Sequence, residues 1–137
     1  MTSVRTITPD FSVSAQVDPD DLQSLADAGF RSIISNRPDD EDPGQPDWSE
    51  IEAAAKAVGL EARHIPVIPG AIGSDDVANF ATALDEMPRP ILAFCRSGTR
   101  AASLWGLAQA GHRPPDEISD AAANAGCDLS ALRQRLA

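Results

Sequence analysis

The segment Pro90-Ile-Leu-Ala-Phe94 is apolar at every position, and a short loop with a cysteine, a glycine and two arginines follows it directly. An uninterrupted apolar run of this length is typical of a strand that is covered on both faces, as parallel strands are in α/β proteins. A helical pattern then runs from about Ala101 to Ala110 and ends at Gly111. The chain is therefore predicted to pass from a central strand through a tight loop into a helix.

The remaining sequence alternates between strand and helix patterns. Residues 11–15 alternate apolar and polar side chains, which predicts a half-buried strand at an edge of the sheet. Strands are also predicted over residues 30–35 and 61–67, and Pro66 indicates that pairing stops near the end of the latter. Helices are predicted over residues 18–29, 47–59, 74–84, 116–125 and 128–136. This alternation predicts an α/β fold of three layers, in which helices flank a mostly parallel central sheet.

Length and composition restrict the class of protein. A chain of 137 residues with 42% hydrophobic and 23% charged residues is expected to form one domain over residues 1–137. A formal net charge of −10 makes nucleic acids and anionic membranes poor partners. No apolar run reaches the roughly 18 residues of a membrane span, and the first residues lack the apolar core of a signal peptide. Because two cysteines do not make a disulfide framework, we expect a protein of the reducing cytoplasm.

The candidate chemistry lies in the loop Cys95-Arg-Ser-Gly-Thr-Arg100. Ligands of open α/β sheets bind at the carboxyl ends of the strands, which is where this loop begins. A tight turn at Gly98 and the start of a helix direct backbone N–H groups inward and favour an anion. We interpret Cys95 as a thiolate nucleophile and Arg100 as the cation that holds the anion. The other predicted members of the anion-binding loop are Arg96, Ser97, Gly98, Thr99 and Ala101.

The alternative interpretation is an inert, buried Cys95 beside two surface arginines, because a free cysteine is usually a small core residue. The glycine, the two arginines and the helix start within one short loop favour the catalytic interpretation. Cys127 lacks such cationic neighbours in the sequence. Whether it forms a disulfide with Cys95 is left open.

Several other residues are candidates for supporting roles. Ser103 lies one turn into the helix, where its hydroxyl group can reach the thiolate. Asn36, Arg37 and Asp39 lie on a loop that also follows a strand, and Arg37 would add a second cation for an anionic substrate. A solvated acidic turn is the alternative for this loop, and His64 is expected to be structural. The sequence has neither metal-ligand spacing nor a nucleotide-binding motif, so we expect no metal and no cofactor.

These motifs resemble two related groups of enzymes. The six residues from Cys95 to Arg100 resemble the active loop of rhodanese-type sulfurtransferases, whereas tyrosine and dual-specificity phosphatases have a loop that is one residue longer, Cys-x5-Arg. The rest of the chain, including the strand end His64-Ile-Pro-Val67, is more similar to the dual-specificity phosphatase fold. Nearly the whole chain resembles the phosphatase-like domain of bacterial β-lactamase-hydrolase-like proteins, whose members are also described as sulfur transferases. The matching segments are Ser35-Asn-Arg-Pro-Asp39, Glu41, Pro43-Gly-Gln-Pro46, Arg63-His-Ile-Pro-Val67, Leu92-Ala-Phe-Cys-Arg-Ser-Gly-Thr-Arg100 and Asp128-Leu-Ser-Ala-Leu132.

The resemblance implies two activities, sulfur transfer and phosphate hydrolysis, and the sequence suits the first better than the second. A six-residue loop suits a persulfide sulfur better than a full phosphate group. Phosphatases of this fold carry an aspartic general acid after the Ile-Pro-Val strand, but residues 68–73 contain no acid. Asp75 and Asp76 are interpreted as first-turn residues of a helix.

We therefore expect a sulfurtransferase that moves sulfur from a small anionic donor, such as thiosulfate or a persulfide, to a thiol acceptor. The sulfur would be carried as a persulfide of Cys95. A cysteine-dependent phosphatase with a phosphocysteine intermediate is the alternative. An inactive anion-binding or sensor module is the second alternative.

Overall fold

The central sheet has five strands, and the computed structural model describes residues 3–136 of the chain. The strands are β1 (Arg5–Thr8), β2 (Phe11–Ser14), β3 (Ser32–Ser35), β4 (Glu61–His64) and β5 (Ile91–Phe94). Their order across the sheet is β1-β2-β5-β3-β4. β1 pairs with β2 in antiparallel orientation, and the other neighbouring pairs are parallel.

The apolar strand β5 occupies the centre of the sheet, as its sequence predicts. Its side chains alternate between two apolar clusters, because successive residues of a strand point to opposite faces. Ile91 and Ala93 belong to one cluster, and Leu92 and Phe94 belong to the other. The predicted three-layer α/β architecture is confirmed.

Helices cover both faces of the sheet. The elements are α1 (Leu22–Asp27), α2 (Trp48–Ala57), α3 (Ser74–Glu86), α4 (Thr99–Gln109), α5 (Pro115–Asn124), α6 (Arg133–Leu136) and two 3₁₀ turns, Pro19–Asp21 and Ser130–Leu132. Residues of α1 and α2 pack in the cluster of Leu92 and Phe94, whereas residues of α3 to α6 pack in the cluster of Ile91 and Ala93. Helices thus cover both faces of the sheet. A ligand site is expected at the edge formed by the carboxyl ends of the parallel strands.

The prediction that residues 11–15 form an edge strand is wrong. β2 lies between β1 and β5, and all four of its residues are buried. The polar residues of its alternating pattern are serines, which are small enough to be buried when they are hydrogen-bonded. The Ser14 hydroxyl, for example, donates to the Ala15 carbonyl oxygen at 2.9 Å. The edge is β1, whose single buried apolar residue, Ile7, leaves almost no strand pattern in the sequence.

Several element boundaries differ from the predictions. β4 ends at His64, although the N–H groups of Ile65 and Val67 still donate to the carbonyl oxygens of Ser35 and Asn36 beyond it. α4 begins at Thr99, because Gly98 adopts a left-handed backbone with φ +97° and closes the loop within a single residue. The predicted helix over residues 128–136 is a 3₁₀ turn followed by the short α6.

Candidate active site

A cavity of about 540 Å³ lies where the chain leaves β5, and three loops line it. The predicted loop and the helix after it contribute Cys95, Arg96, Ser97, Thr99, Arg100 and Ser103. The loop between β3 and α2 contributes Glu41 and Asp42, and the loop between β4 and α3 contributes Pro69, Gly70 and Ile72. Because β3, β4 and β5 are parallel neighbours, their carboxyl ends bring these three loops to one edge of the sheet.

Cys95 is the buried floor of this cavity. The residue is only 1% exposed, and its backbone N–H donates to the Ser14 carbonyl oxygen at 3.3 Å. The backbone N–H of Gly98 donates to its Sγ atom at 3.0 Å. This contact places a hydrogen-bond donor directly beside the sulfur of the candidate nucleophile.

The loop around Cys95 leads directly into α4. Gly98 accepts a hydrogen bond from the N–H of Ala102 at 3.0 Å and so forms the first turn of the helix. The N-terminal end of α4 therefore lies beside the sulfur, where the aligned peptide dipoles place partial positive charge. The loop thus ends in a helix N-terminus, as the sequence predicts.

Arg100 is buried in the wall of the same cavity, with its side chain only 7% exposed. Its Nη1 atom donates to the carbonyl oxygens of Asn36 and Val67, each at 3.1 Å, and its Nη2 atom lies 3.1 Å from Glu41 Oε1. The Nε–H group has no hydrogen-bond partner among residues 3–136. A buried donor without a partner is costly, so an acceptor brought to this group by a ligand would remove that cost.

Two carboxylates and three arginines form an ion-pair network at the side of the cavity. Glu41 Oε1 accepts from Arg37 at 2.8 Å as well as from Arg100. Asp42 pairs with Arg37 and, at 3.2 Å, with Arg96. Burial works to raise the pKa of Glu41, but hydrogen bonds and charge from Arg100 and Arg37 outweigh it and hold this pKa below the ordinary value. Glu41 therefore stays ionised and fixes both arginines.

The structure separates the predicted supporting residues from the cavity wall. Asn36 is fully buried and donates from its side-chain amide to the Ile65 carbonyl oxygen at 3.0 Å. Arg37 lies behind the carboxylates that it binds, and Asp39 accepts the N–H of Trp48 at 2.8 Å near the start of α2. None of these three side chains lines the cavity, and each instead supports the loop between β3 and α2.

Two residues of α4 also differ from their predicted roles. Ser103 lines the cavity, but its hydroxyl donates to the Thr99 carbonyl oxygen at 2.8 Å rather than to the sulfur of Cys95. Ala101, predicted as a member of the anion-binding loop, is fully buried in the apolar cluster below it. Helical periodicity explains both outcomes, because α4 begins at Thr99 and directs Ala101 away from the loop.

Sequence reasoning missed Asp42 and assigned Glu41 no role of its own, although Glu41 belongs to the segments that carry the family resemblance. Their position depends on the path of an irregular loop, which local patterns do not encode. Asp75 and Asp76 do not line the cavity, and the Asp76 carboxylate accepts the N–H of Gly73 at 2.9 Å at the start of α3. This contact agrees with their interpretation as first-turn helix residues.

The part of the chain that the structure describes contains no group of three or more His, Cys, Asp or Glu side chains arranged to hold a metal ion. None of its helices over residues 3–136 has the length and apolar character that a membrane crossing requires. The polar groups that line the cavity include a thiol, arginines, carboxylates and hydroxyl groups.

A cysteine on a tight loop between a central parallel strand and a helix, with a buried arginine at the loop end, defines the cysteine-phosphatase-like class of folds. Solved structures of this class superimpose on nearly the whole chain. The chain belongs to the family described as the phosphatase-like domain of β-lactamase hydrolase-like proteins, whose model matches residues 3–112. The family predicted from the sequence is confirmed.

Individual relatives agree with this assignment. A β-lactamase hydrolase-like protein of Agrobacterium fabrum is 38% identical over 118 residues, which cover 85% of this chain and 27% of that protein. The chain therefore spans about a quarter of the length of this relative. The structure of a candidate phosphatase from Neisseria meningitidis superimposes with a TM-score of 0.86 and 35% identity, over 96% of this chain and 94% of that chain. The active form of Tk-PTP shares the fold at a TM-score of 0.74 and 16% identity, over 98% and 92% of the two chains.

Proposed function

We propose that this protein is a cysteine-dependent phosphatase in which Cys95 is the nucleophile. The observation that carries the proposal is the cavity that holds both Cys95 and Arg100, a buried arginine whose Nε–H has no partner within residues 3–136. A phosphoryl group offers oxygens to such a donor and to the loop N–H groups at once. The phosphatase-like fold and the Neisseria relative support the same activity.

In the first step, the thiolate of Cys95 attacks the phosphorus atom of a phosphomonoester. The S–P bond forms while the bond between phosphorus and the leaving oxygen breaks, and the electron pair departs with that oxygen. The nonbridging oxygens carry the developing charge. Loop N–H groups, the start of α4 and Arg100 stabilise them, and this stabilisation is large because the site is largely buried.

In the second step, water attacks the phosphocysteine. The new P–O bond forms while the S–P bond breaks, the water loses its proton to the solvent, and inorganic phosphate leaves. The electron pair of the broken bond returns to Cys95 as the thiolate. The N–H of Gly98, which lies 3.0 Å from the sulfur, stabilises this leaving thiolate and keeps it ready for the next cycle.

The polar and apolar walls of the cavity suggest the class of phosphate ester. Its two carboxylates, Glu41 and Asp42, are both engaged by arginines, so neither is a free general acid for the leaving oxygen. A phosphatase of this kind favours leaving groups that need little protonation, as aryl oxides do. Pro69 and Ile72, on the loop between β4 and α3, add apolar surface to the cavity lining, which can contact an aryl ring. We infer a preference for aryl phosphates, including phosphotyrosine, over alkyl phosphates.

Sulfur transfer is the second candidate, and one observation favours it. Arg100 is the sixth residue of the loop that starts at Cys95, which is the rhodanese-like spacing of Cys-x4-Arg. In that reaction the thiolate of Cys95 takes the outer sulfur of thiosulfate and sulfite departs. The same donors of the cavity would hold the sulfite anion. Either activity requires a reduced thiol, so we propose that the enzyme acts in the reducing cytoplasm.

The deciding experiment measures release of phosphate from p-nitrophenyl phosphate and of sulfite from thiosulfate with cyanide as acceptor. Wild-type protein is compared with Cys95→Ser and, as a matched control, with Cys127→Ser. Phosphate release that requires Cys95 and greatly exceeds sulfite release supports the phosphatase. Sulfite release that requires Cys95 without phosphate release would overturn it in favour of sulfur transfer. A protein that binds phosphate without either turnover would be a binding module.

The leaving-group preference has its own test. Rates are compared for p-nitrophenyl, phenyl and ethyl phosphate, whose leaving oxygens become steadily more basic. We expect kcat/KM to fall by at least about tenfold at each step if no general acid takes part. Equal rates would mean that one of the two carboxylates donates a proton, and Asp42→Asn and Glu41→Gln would identify which.

A further inference from the structure

Arg5, on the edge strand β1, reaches the active-site loop from the side opposite to the cavity. Its Nη2 atom donates a short hydrogen bond to the Ser97 carbonyl oxygen, and its Nη1 atom donates to the Ala125 carbonyl oxygen at 3.1 Å. The guanidinium group therefore joins the loop to the end of α5. Arg5 does not line the cavity, and no part of the proposed mechanism has used it.

Two glycines make room for this guanidinium group. A Cβ atom at Gly98 would overlap its Nη2 atom, and a Cβ atom at Gly126 would lie 3.3 Å from its Nη1 atom. Both glycines have a left-handed backbone, with φ of +97° and +79°. The left-handed turn of the loop thus requires Gly98, and the same glycine leaves room for the guanidinium group of Arg5.

We propose that Arg5 is a positioning residue that orients the Ser97–Gly98 peptide group toward Cys95. A trans peptide group is planar, and its C=O and N–H bonds point in opposite directions. Arg5 holds the Ser97 carbonyl oxygen on the outer side of the loop. The N–H of Gly98, in the same peptide group, is thereby directed inward to Cys95 Sγ, 3.0 Å away. Rotation of this peptide would replace a donor beside the sulfur with a carbonyl oxygen.

The positive charge of Arg5 also favours anion binding by the loop. The three arginines of the ion-pair network, Arg37, Arg96 and Arg100, are paired with carboxylates. Within residues 3–136, Arg5 has no ion pair with a carboxylate; it donates to the carbonyl oxygens of Ser97 and Ala125 and also interacts with the Cys127 thiol. Its positive charge is therefore not neutralised by a neighbour in a chain of net charge −10. It favours an anion on the other side of the loop.

This inference rests on the part of the proposed function that assigns anion binding to the loop. It does not depend on whether the group transferred is phosphoryl or sulfur. The informative variants are Arg5→Met, which keeps an unbranched side chain without hydrogen bonds or charge, and Arg5→Lys, which keeps the charge but not the paired donors. Arg63→Met is the matched control, because Arg63 lies on the opposite edge strand, β4, and pairs with the exposed Glu86.

The first measurement is the backbone amide of Gly98 by ¹⁵N NMR, with hydrogen exchange. We expect its resonance to move and its exchange to speed up by about tenfold or more in Arg5→Met, while amides of the central strand β5 keep their rates. The second measurement is inhibition or binding by orthovanadate, which should weaken by about tenfold in Arg5→Met and less in Arg5→Lys. Arg63→Met should match the wild type in both.

An unchanged Gly98 amide together with unchanged orthovanadate affinity in Arg5→Met would overturn the proposal. If Arg5→Met does not fold, Arg5→Lys decides, because wild-type behaviour of that variant in both measurements would also overturn it. Absence of phosphate release by the wild type would refute the phosphatase alone, since the Gly98 amide requires no turnover. If the wild type binds no orthovanadate, the amide measurement decides the role of Arg5 by itself.

Discussion

The two cysteines of this protein are both buried, but their surroundings differ. Cys95 accepts a backbone N–H at 3.0 Å and shares its cavity with Arg100. Cys127 lies in the same apolar cluster as Cys95, away from the cavity lining, and its thiol makes a long contact, 3.9 Å, to the Ala125 carbonyl oxygen. Burial raises the pKa of the Cys127 thiol, and the charge of Arg5 and a hydrogen bond with Thr99 only partly oppose it.

This difference shows that burial by itself does not determine what a thiol does. Removal from water favours the neutral thiol, as it does at Cys127. Around Cys95, by contrast, a backbone N–H group and the start of a helix lie beside the sulfur. Cys127 is therefore an internal control for Cys95, the candidate nucleophile.

The largest expected difference is in turnover. Cys95→Ser should lower kcat for p-nitrophenyl phosphate by at least about 10³-fold, because a hydroxyl group is a far weaker nucleophile at neutral pH. Cys127→Ser should stay within about threefold of the wild type, since Cys127 does not line the cavity. The measurement is steady-state phosphate release. Equal loss in both variants would remove the distinction between the two cysteines.

The next effect concerns the cation beside Cys95. Arg100→Lys keeps a positive charge but removes the Nε–H donor and the planar fork, so kcat/KM should fall by about 10²-fold. Arg113→Lys is the control, because Arg113 pairs with Glu117 outside the cavity. The two variants are compared in steady-state kinetics. An unchanged kcat/KM in Arg100→Lys would assign Arg100 a purely structural role.

Chemical reactivity should separate the two thiols directly. At neutral pH in the native protein, iodoacetamide should modify Cys95 at least about tenfold faster than Cys127, whose raised pKa keeps it a protonated thiol. Peptide mass spectrometry of samples quenched over time gives both rates. In denaturant the two rates should become similar. Faster modification of Cys127 in the native protein would contradict the assignment.

Acid should weaken the ion-pair network beside Cys95. The lowered pKa of folded Glu41 means that this residue contributes stability above its ordinary pKa of 4.5, and that the contribution is lost as pH falls through the lower folded value. Glu41→Gln should therefore be less stable than the wild type at pH 7, and the difference should shrink below about pH 4.5. Urea unfolding at several pH values measures it. A difference that is constant with pH would mean that ionisation of Glu41 does not matter.

The smallest effect is expected at Cys127 itself. Cys127→Ala removes one buried sulfur atom from the apolar cluster and should lower the free energy of unfolding by about 1 kcal/mol. The loss should be the same at pH 5 and pH 7, because the thiol is neutral at both. Urea unfolding measures this value too. A loss near zero would indicate that the neighbouring side chains close the cavity.

The fold and the centre of the site were predictable because their signals are local. An apolar run, a left-handed glycine and a helical pattern are contiguous in the chain, and they determine β5, the loop and α4 without reference to distant residues. The position of Cys95 at the carboxyl end of a central strand follows from the same run. Misassignment of β2 as an edge had a physical cause, because Ser12 and Ser14 are polar but small enough for the interior.

The sequence by itself determined the three-layer fold, the loop from Cys95 to Arg100 and the family. Only the tertiary structure decided which distant residues meet that loop. Glu41 and Asp42 reach the cavity along an irregular loop, and Arg5 reaches the loop across the antiparallel pairing of β1 with β2. Such contacts depend on how layers and loops pack in three dimensions, whereas periodicity and turn chemistry report only on neighbours in the chain.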